Sequence, residues 1–107
     1  MSDKFSIIYS FKIHENKQDE FIHCWTELTH LIYKFEGSFG SRLHQVSENF
    51  FIAYAQWPDK KTFDQSGSKL PEGANDLRKK MRECCSEIKQ EFELKTIVVD
   101  LLKDKPF

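Results

Sequence analysis

The run Phe50-Phe51-Ile52-Ala53-Tyr54-Ala55-Gln56-Trp57-Pro58-Asp59-Lys60-Lys61-Thr62-Phe63 constrains the fold more than any other stretch of the chain. Its first half is aromatic and β-branched, which suits a pleated strand. Pro58 has no N–H to give to a ladder, so the strand ends at Trp57. Asp59 then stands where a helix wants an N-cap, with Thr62 and Phe63 in the first turn. A strand ending in Trp beside a helix start puts a large ring where ligands often bind.

The other elements follow from periodicity. Phe5, Ile7, Tyr9, Phe11 and Ile13 alternate onto one face of a first strand, with Ser6, Ile8, Ser10 and Lys12 on the other. Asn16 can cap the next element. Phe21, Trp25, Leu28, Ile32 and Phe35 then form a helical stripe, and Gly37 suits a left-handed C-terminal cap. A second strand, Phe39 to Val46, joins the Trp57 strand through Ser47-Glu48-Asn49, which predicts an antiparallel hairpin. After the short helix from Asp59 and a Gly- and Pro-containing break, Ala74, Leu77, Met81, Cys85, Ile88 and Phe92 mark a second long helix. Leu94 to Leu102 reads as the last strand.

The expected order is β-α-β-β-α-β, an α+β ferredoxin-like fold with a four-stranded antiparallel sheet and helices on one face. The central strand is apolar on both sides: Phe50, Ile52 and Tyr54 alternate away from Phe51, Ala53, Ala55 and Trp57. One helix layer cannot cover both. The face bearing Phe50, Ile52 and Tyr54 is therefore expected to pair with a second copy, making a homodimer.

Length and composition narrow the function. The 107 residues suffice for one domain, with its core at about 4–102. Ten Phe, two Trp and three Tyr let so short a chain bury substantial area. A formal charge of −1 gives no global field to steer the protein to nucleic acid or a membrane. No apolar run approaches the roughly 18 residues of a spanning helix. The Met-Ser-Asp-Lys start lacks a secretory-signal pattern. Cys24, Cys84 and Cys85 are odd in number and two are adjacent, so no disulfide framework is expected and a cytoplasmic setting fits.

The element order and the run Tyr54-Ala55-Gln56-Trp57-Pro58-Asp59-Lys60-Lys61-Thr62-Phe63, with a first helix closing on Phe35-Glu36-Gly37, resemble the antibiotic biosynthesis monooxygenase domain, a family of the dimeric α+β barrel superfamily. The resemblance spans about residues 4–102. It implies a cofactor-independent monooxygenase acting on a small aromatic or quinone-like substrate whose anion reacts with oxygen itself. The alternative in the same fold is a non-catalytic dimer that binds a small ligand or serves as an interaction module. The haem-degrading branch uses an Asn on the first strand, where Tyr9 stands here, and a His on the second long helix. This chain has no His after His44. The polyphenol-oxidising branch places an Asn four residues before the Trp and a Tyr six after it; these positions are Ala53 and Phe63. The polar groups are replaced while the aromatic wall stays.

Tyr9, Trp57, Phe63 and Met81 are the expected walls of a pocket between sheet and helices, with Arg78 or Arg82 reaching over its mouth toward an anionic ligand. Trp57 can be a pocket wall or a core seal. The Tyr9 hydroxyl can point into a cavity or reach a backbone carbonyl. His23, Glu27 and His30 share a helix face opposite the apolar stripe and lack a fourth ligand, so no metal and no cofactor is expected. Glu83 and Glu87 flank Cys84-Cys85 and disfavour thiolates, so these read as inert thiols.

Overall fold

The computed structural model describes residues 4–106. In chain order the elements are β1 (Phe5–Ile13), α1 (Gln18–Phe35), β2 (Gly40–Ser47), β3 (Phe50–Trp57), α2 (Lys60–Asp64), α3 (Ala74–Glu83) and β4 (Cys85–Leu94). The strands form one antiparallel sheet in the order β2-β3-β1-β4. This is the ferredoxin-like arrangement, with the short α2 inserted before α3.

The register assigns every strand residue to a face. Phe5 pairs with Trp57, Ile7 with Ala55, Tyr9 with Ala53 and Phe11 with Phe51. These eight side chains point at the helices. Phe21 of α1 sits fully buried between Phe11 and Phe51, its ring 5.0 and 5.5 Å from theirs. Phe11, Ile13, Phe21, Phe51, Ala53 and Cys84 make one core cluster, and Phe5, Ile7 and Trp57 make a second. Tyr9 packs against both. On the opposite face Ile8 pairs with Tyr54, Ser10 with Ile52 and Lys12 with Phe50. Phe50, Ile52 and Tyr54 are only half-buried there, and Phe92 and Leu94 of β4 add exposed apolar surface.

The expected caps divide. Asp59 Oδ1 accepts the backbone N–H of Thr62 at 2.7 Å, and this bond holds the carboxyl below its usual range. Gly37, with φ 79°, follows the C-cap Glu36 in the left-handed region. Asn16 is not the cap of α1. Lys17 holds that position with no side-chain capping hydrogen bond, and Asn16 turns the chain at φ 65°.

The largest correction concerns the C-terminal third. The second helix stops at Glu83 rather than running to Phe92, and the last strand is Cys85–Leu94, not Leu94–Leu102. Ile88 and Phe92 are strand residues, opposite Phe11 and Ile8. The Glu, Lys and Gln residues of 87–93 favour a helix locally. The free edge of β1 decides otherwise: its buried backbone needs partners, and β4 supplies them. A bulge beside Ile8/Tyr9 frees Glu91, whose Oε1 accepts the Ser10 hydroxyl at 2.7 Å. Residues 95–102 carry no strand beyond a single bridge at Ile97. Val98, Val99, Leu101 and Leu102 are therefore exposed rather than packed in a sheet.

Cys24 and Cys84 are buried, Cys85 is half-buried, and all three are free thiols. Burial raises each thiol above its ordinary range, Cys85 to about 12. Such thiols stay protonated near neutral pH and are poor nucleophiles. No helix among the described residues is long and apolar enough to cross a membrane.

Candidate functional site

The two core clusters do not close on each other. Between them, under α1 and α3, lies a cavity of about 270 Å³. Its floor is Tyr9, Phe11, Ala53, Ala55 and Trp57 of the sheet. Trp25, Leu28, Thr29 and Ile32 of α1 form one wall, and Arg78, Met81 and Arg82 of α3 the other. Ser38, Ser41 and Ile88 complete it. The small side chains of Ala53 and Ala55 leave the space, because the facing helix residues cannot collapse onto the sheet there.

Of the residues singled out from sequence, Tyr9, Trp57, Met81 and Arg78 line this cavity and Phe63 does not. Phe63 packs behind the wall, its ring 5.5 Å from Trp57 edge-on and 5.4 Å from Phe5. Trp57, 4% exposed, both seals the second core cluster and faces the cavity. Trp25 was expected only as part of the core stripe of α1, yet it lines the same space. Ile88 reaches the cavity because it belongs to β4, which the helical reading of that segment concealed. Ser38 and Ser41 have no signal in the sequence. They arrive through the turn after α1 and the β2–β3 register, which sets Ser41 opposite Ala55.

The polar groups differ in availability. Ser38 Oγ donates to the Gln56 carbonyl and accepts the Gly40 N–H, and Ser41 donates to the Tyr54 carbonyl. These hydroxyls hold β2 in place. Among the described residues the Tyr9 hydroxyl has no hydrogen-bond partner, and Tyr9 lines the cavity. Burial raises its pKa and the Arg78 charge partly opposes that, so Tyr9 is a neutral donor near pH 7. Arg78 is half-buried and Arg82 exposed. Among the described residues no Asp, Glu or His lines the cavity.

One buried carboxylate fixes the loop that precedes α3. Glu36, 6% exposed, accepts the backbone N–H of Gly67 through Oε2 at 2.8 Å and that of Lys69 through Oε1 at 2.7 Å. It thereby ties the loop between α2 and α3 to the end of α1. That loop leads into the helix carrying Arg78, Met81 and Arg82. Glu36→Gln leaves an amide that can match only one of these two acceptor roles. Its expected cost is about 1–3 kcal/mol in a denaturant titration. Hydrogen exchange at the Gly67 and Lys69 amides should quicken well beyond the change at β1 amides.

His23, Glu27 and His30 are exposed on α1, and His44 is exposed beside Ile52 on the helix-free face. Among the described residues no group of three His, Cys, Asp or Glu is placed to hold a metal ion.

No family model matches the sequence, and no curated protein matches it either. Solved structures do. The chain is similar to SnoaB, a cofactor-independent oxygenase from Streptomyces nogalater, with a TM-score of 0.74 at 16% identity over 95% of this chain and 100% of that one. It is also similar to a Nitrosomonas europaea protein provisionally described as an antibiotic biosynthesis monooxygenase, with a TM-score of 0.76 at 11% identity over 92% and 94% of the two chains. A Bacteroides thetaiotaomicron protein described as of unknown function and a possible oxidoreductase gives 0.71 at 14% identity over 90% and 100%. The strand order, the helices on one face and these matches together give the chain the ferredoxin-like fold of the antibiotic biosynthesis monooxygenase structures.

Proposed function

We propose that the cavity binds a small aromatic or quinone-like compound as its anion, and that molecular oxygen attacks the compound there without a cofactor. The net reaction is SH2 + O2 → SO + H2O, one oxygen atom entering the substrate and the other leaving as water. The observation that carries this reading is the cavity itself: aromatic walls, a free Tyr9 hydroxyl, and arginine as the only charged residue type among the described lining residues. SnoaB, described as a cofactor-independent oxygenase, shares the fold and supports the reaction class.

The chemistry follows from the donor set. An ionised phenol passes one electron to oxygen, and the resulting radical and superoxide combine as a peroxide on carbon. Loss of hydroxide from that peroxide leaves a carbonyl. The protein must favour the phenolate and hold its ring. Tyr9 donates to the ring oxygen, Arg78 stabilises its negative charge, and Trp25 and Trp57 flank its faces. With no carboxylate or imidazole in the lining, the phenol proton leaves to water.

Oxygen uptake with 1,4-dihydroxynaphthalene, above the protein-free rate, should therefore rise with pH until the bound phenol is ionised. Arg78→Ala should move that plateau to higher pH, and Arg78→Lys should restore most of the shift. Labelled oxygen should appear in the product. Hydrogen peroxide with no label in the product would mean simple oxidation and end the oxygenase reading.

One observation favours the non-catalytic alternative. Ala53 and Phe63 occupy the positions where the polyphenol-oxidising branch has polar groups, and among the described residues no carboxylate or imidazole lines the cavity. On that reading the same compounds bind, and saturable quenching of tryptophan fluorescence occurs without oxygen uptake. Both Trp25 and Trp57 line the cavity, so each single variant, Trp25→Phe and Trp57→Phe, should retain part of the quench. We also propose that two copies pair through the helix-free sheet face bearing Phe50, Ile52 and Tyr54.

A further inference from the structure

We infer that the ligand of this cavity carries a carboxylate on its aromatic body, held at the mouth by Arg78 and Arg82. The two arginines stand one turn apart on α3 and both line the cavity. Side chains at that spacing are neighbours, with Cβ atoms about 5–6 Å apart, and like charges there repel. Among the described residues neither guanidinium takes part in an ion pair or a side-chain hydrogen bond. Elsewhere on the surface Lys12, Lys17, Lys60 and Lys89 pair with carboxylates, while among the described residues Lys79 and Lys80 beside the arginines do not. Glu83 shares the outer groove of α3 with Arg78, Lys79 and Arg82 without bridging to any of them.

An oxyanion between Arg78 and Arg82 relieves their repulsion and satisfies two forks of N–H donors at once. The rest of the cavity dictates what the oxyanion is attached to. The wall is dominated by aromatic and aliphatic side chains, and its free polar groups among the described residues, Tyr9, Thr29 and the arginines, all carry donors. A flat ring system with its acceptors at one end matches that layout. The volume of about 270 Å³ lies just below the roughly 300–1,000 Å³ of drug-sized sites, which selects one or two fused rings over larger polycycles. The ligand class is thus a hydroxylated mono- or bicyclic aromatic acid. This rests on the proposed reading of the cavity as an aromatic ligand site, and not on the oxygen chemistry.

Isothermal titration calorimetry with 1-hydroxy-2-naphthoate and 1-naphthol, at pH 7 and low salt, tests the pair. The acid should bind about tenfold or more tightly than the neutral ring. Arg82→Ala should bring the two affinities to within about twofold of each other, because a charge-assisted contact is then lost. Lys79→Ala removes the same charge from the same helix but lies outside the cavity lining, and should preserve the ratio. Equal affinities in the wild type overturn the carboxylate and leave the aromatic site standing. A ratio that falls as far in Lys79→Ala as in Arg82→Ala also overturns it, since a diffuse field then explains the preference. Failure of both compounds to bind overturns the carboxylate and the aromatic site together. Tight binding of the acid with no oxygen uptake upholds the carboxylate and removes only the oxygenase reading.

Discussion

An Ile52→Lys variant is expected to run as a 12.7 kDa species where the wild-type chain runs at twice that mass. Ile52 lies on β3, an inner strand, opposite Ser10 of β1 and His44 of β2. It points away from all three helices. Ile8, Phe50, Tyr54, Phe92 and Leu94 share its face, and Phe92 and Leu94 are 62% and 41% exposed. In a lone chain the new ammonium would sit in water, so the fold should survive. In a face-to-face pair it would be buried without a partner, at a cost of about 3–5 kcal/mol. Light scattering at micromolar concentration reads the mass, and circular dichroism reads the fold. A wild-type protein that is already monomeric at that concentration rules out the pairing.

Trp57→Ala should be the most damaging single truncation near the cavity. The indole is 4% exposed, belongs to the cluster with Phe5 and Ile7, and meets the Phe63 ring edge-on. Removing a side chain of that size from a packed site costs about 3–5 kcal/mol, since the lining relaxes only in part. Domains have only about 5–15 kcal/mol to lose. Tyr9→Phe is the instructive comparison. Its hydroxyl has no partner among the described residues, so its loss should change stability by about 1 kcal/mol or less. Ligand affinity should fall nonetheless, because the donor that faces the cavity is gone. Urea titrations of both variants decide. A Trp57→Ala loss below about 1 kcal/mol would mean the ring is a loose wall rather than part of the core.

These two residues also mark how far the sequence reaches. The strand ending at Trp57 was legible because Pro58 cannot extend a ladder and Asp59 can cap a helix. Both effects are local, and both appear where expected. The two-residue alternation of β1 was equally plain, and it fixes which side chains meet the helices. From these came Tyr9, Trp57, Met81 and Arg78 as neighbours, although they lie far apart in the chain. Phe63 lies on the short helix as its sequence position implies, but it packs against Trp57 and Phe5 and does not line the cavity.

Local pattern failed where a neighbouring strand edge outweighed it. Residues 85–94 carry a helical spacing of apolar groups and good helix formers, and their own sequence gives no reason to leave the helix at Glu83. The unpaired edge of β1 supplies that reason, and only the tertiary structure contains it. The same is true of Ser38, Ser41, Ile88 and the inward turn of Trp25, which reach the cavity through register and helix placement. Element order, the apolar faces and the capped Trp strand are legible along the chain, because side-chain alternation, proline geometry and capping act over a few residues. The tertiary structure alone decided where the last strand lies and that a cavity survives between two core clusters, because backbone pairing and close packing are satisfied between segments distant in the chain.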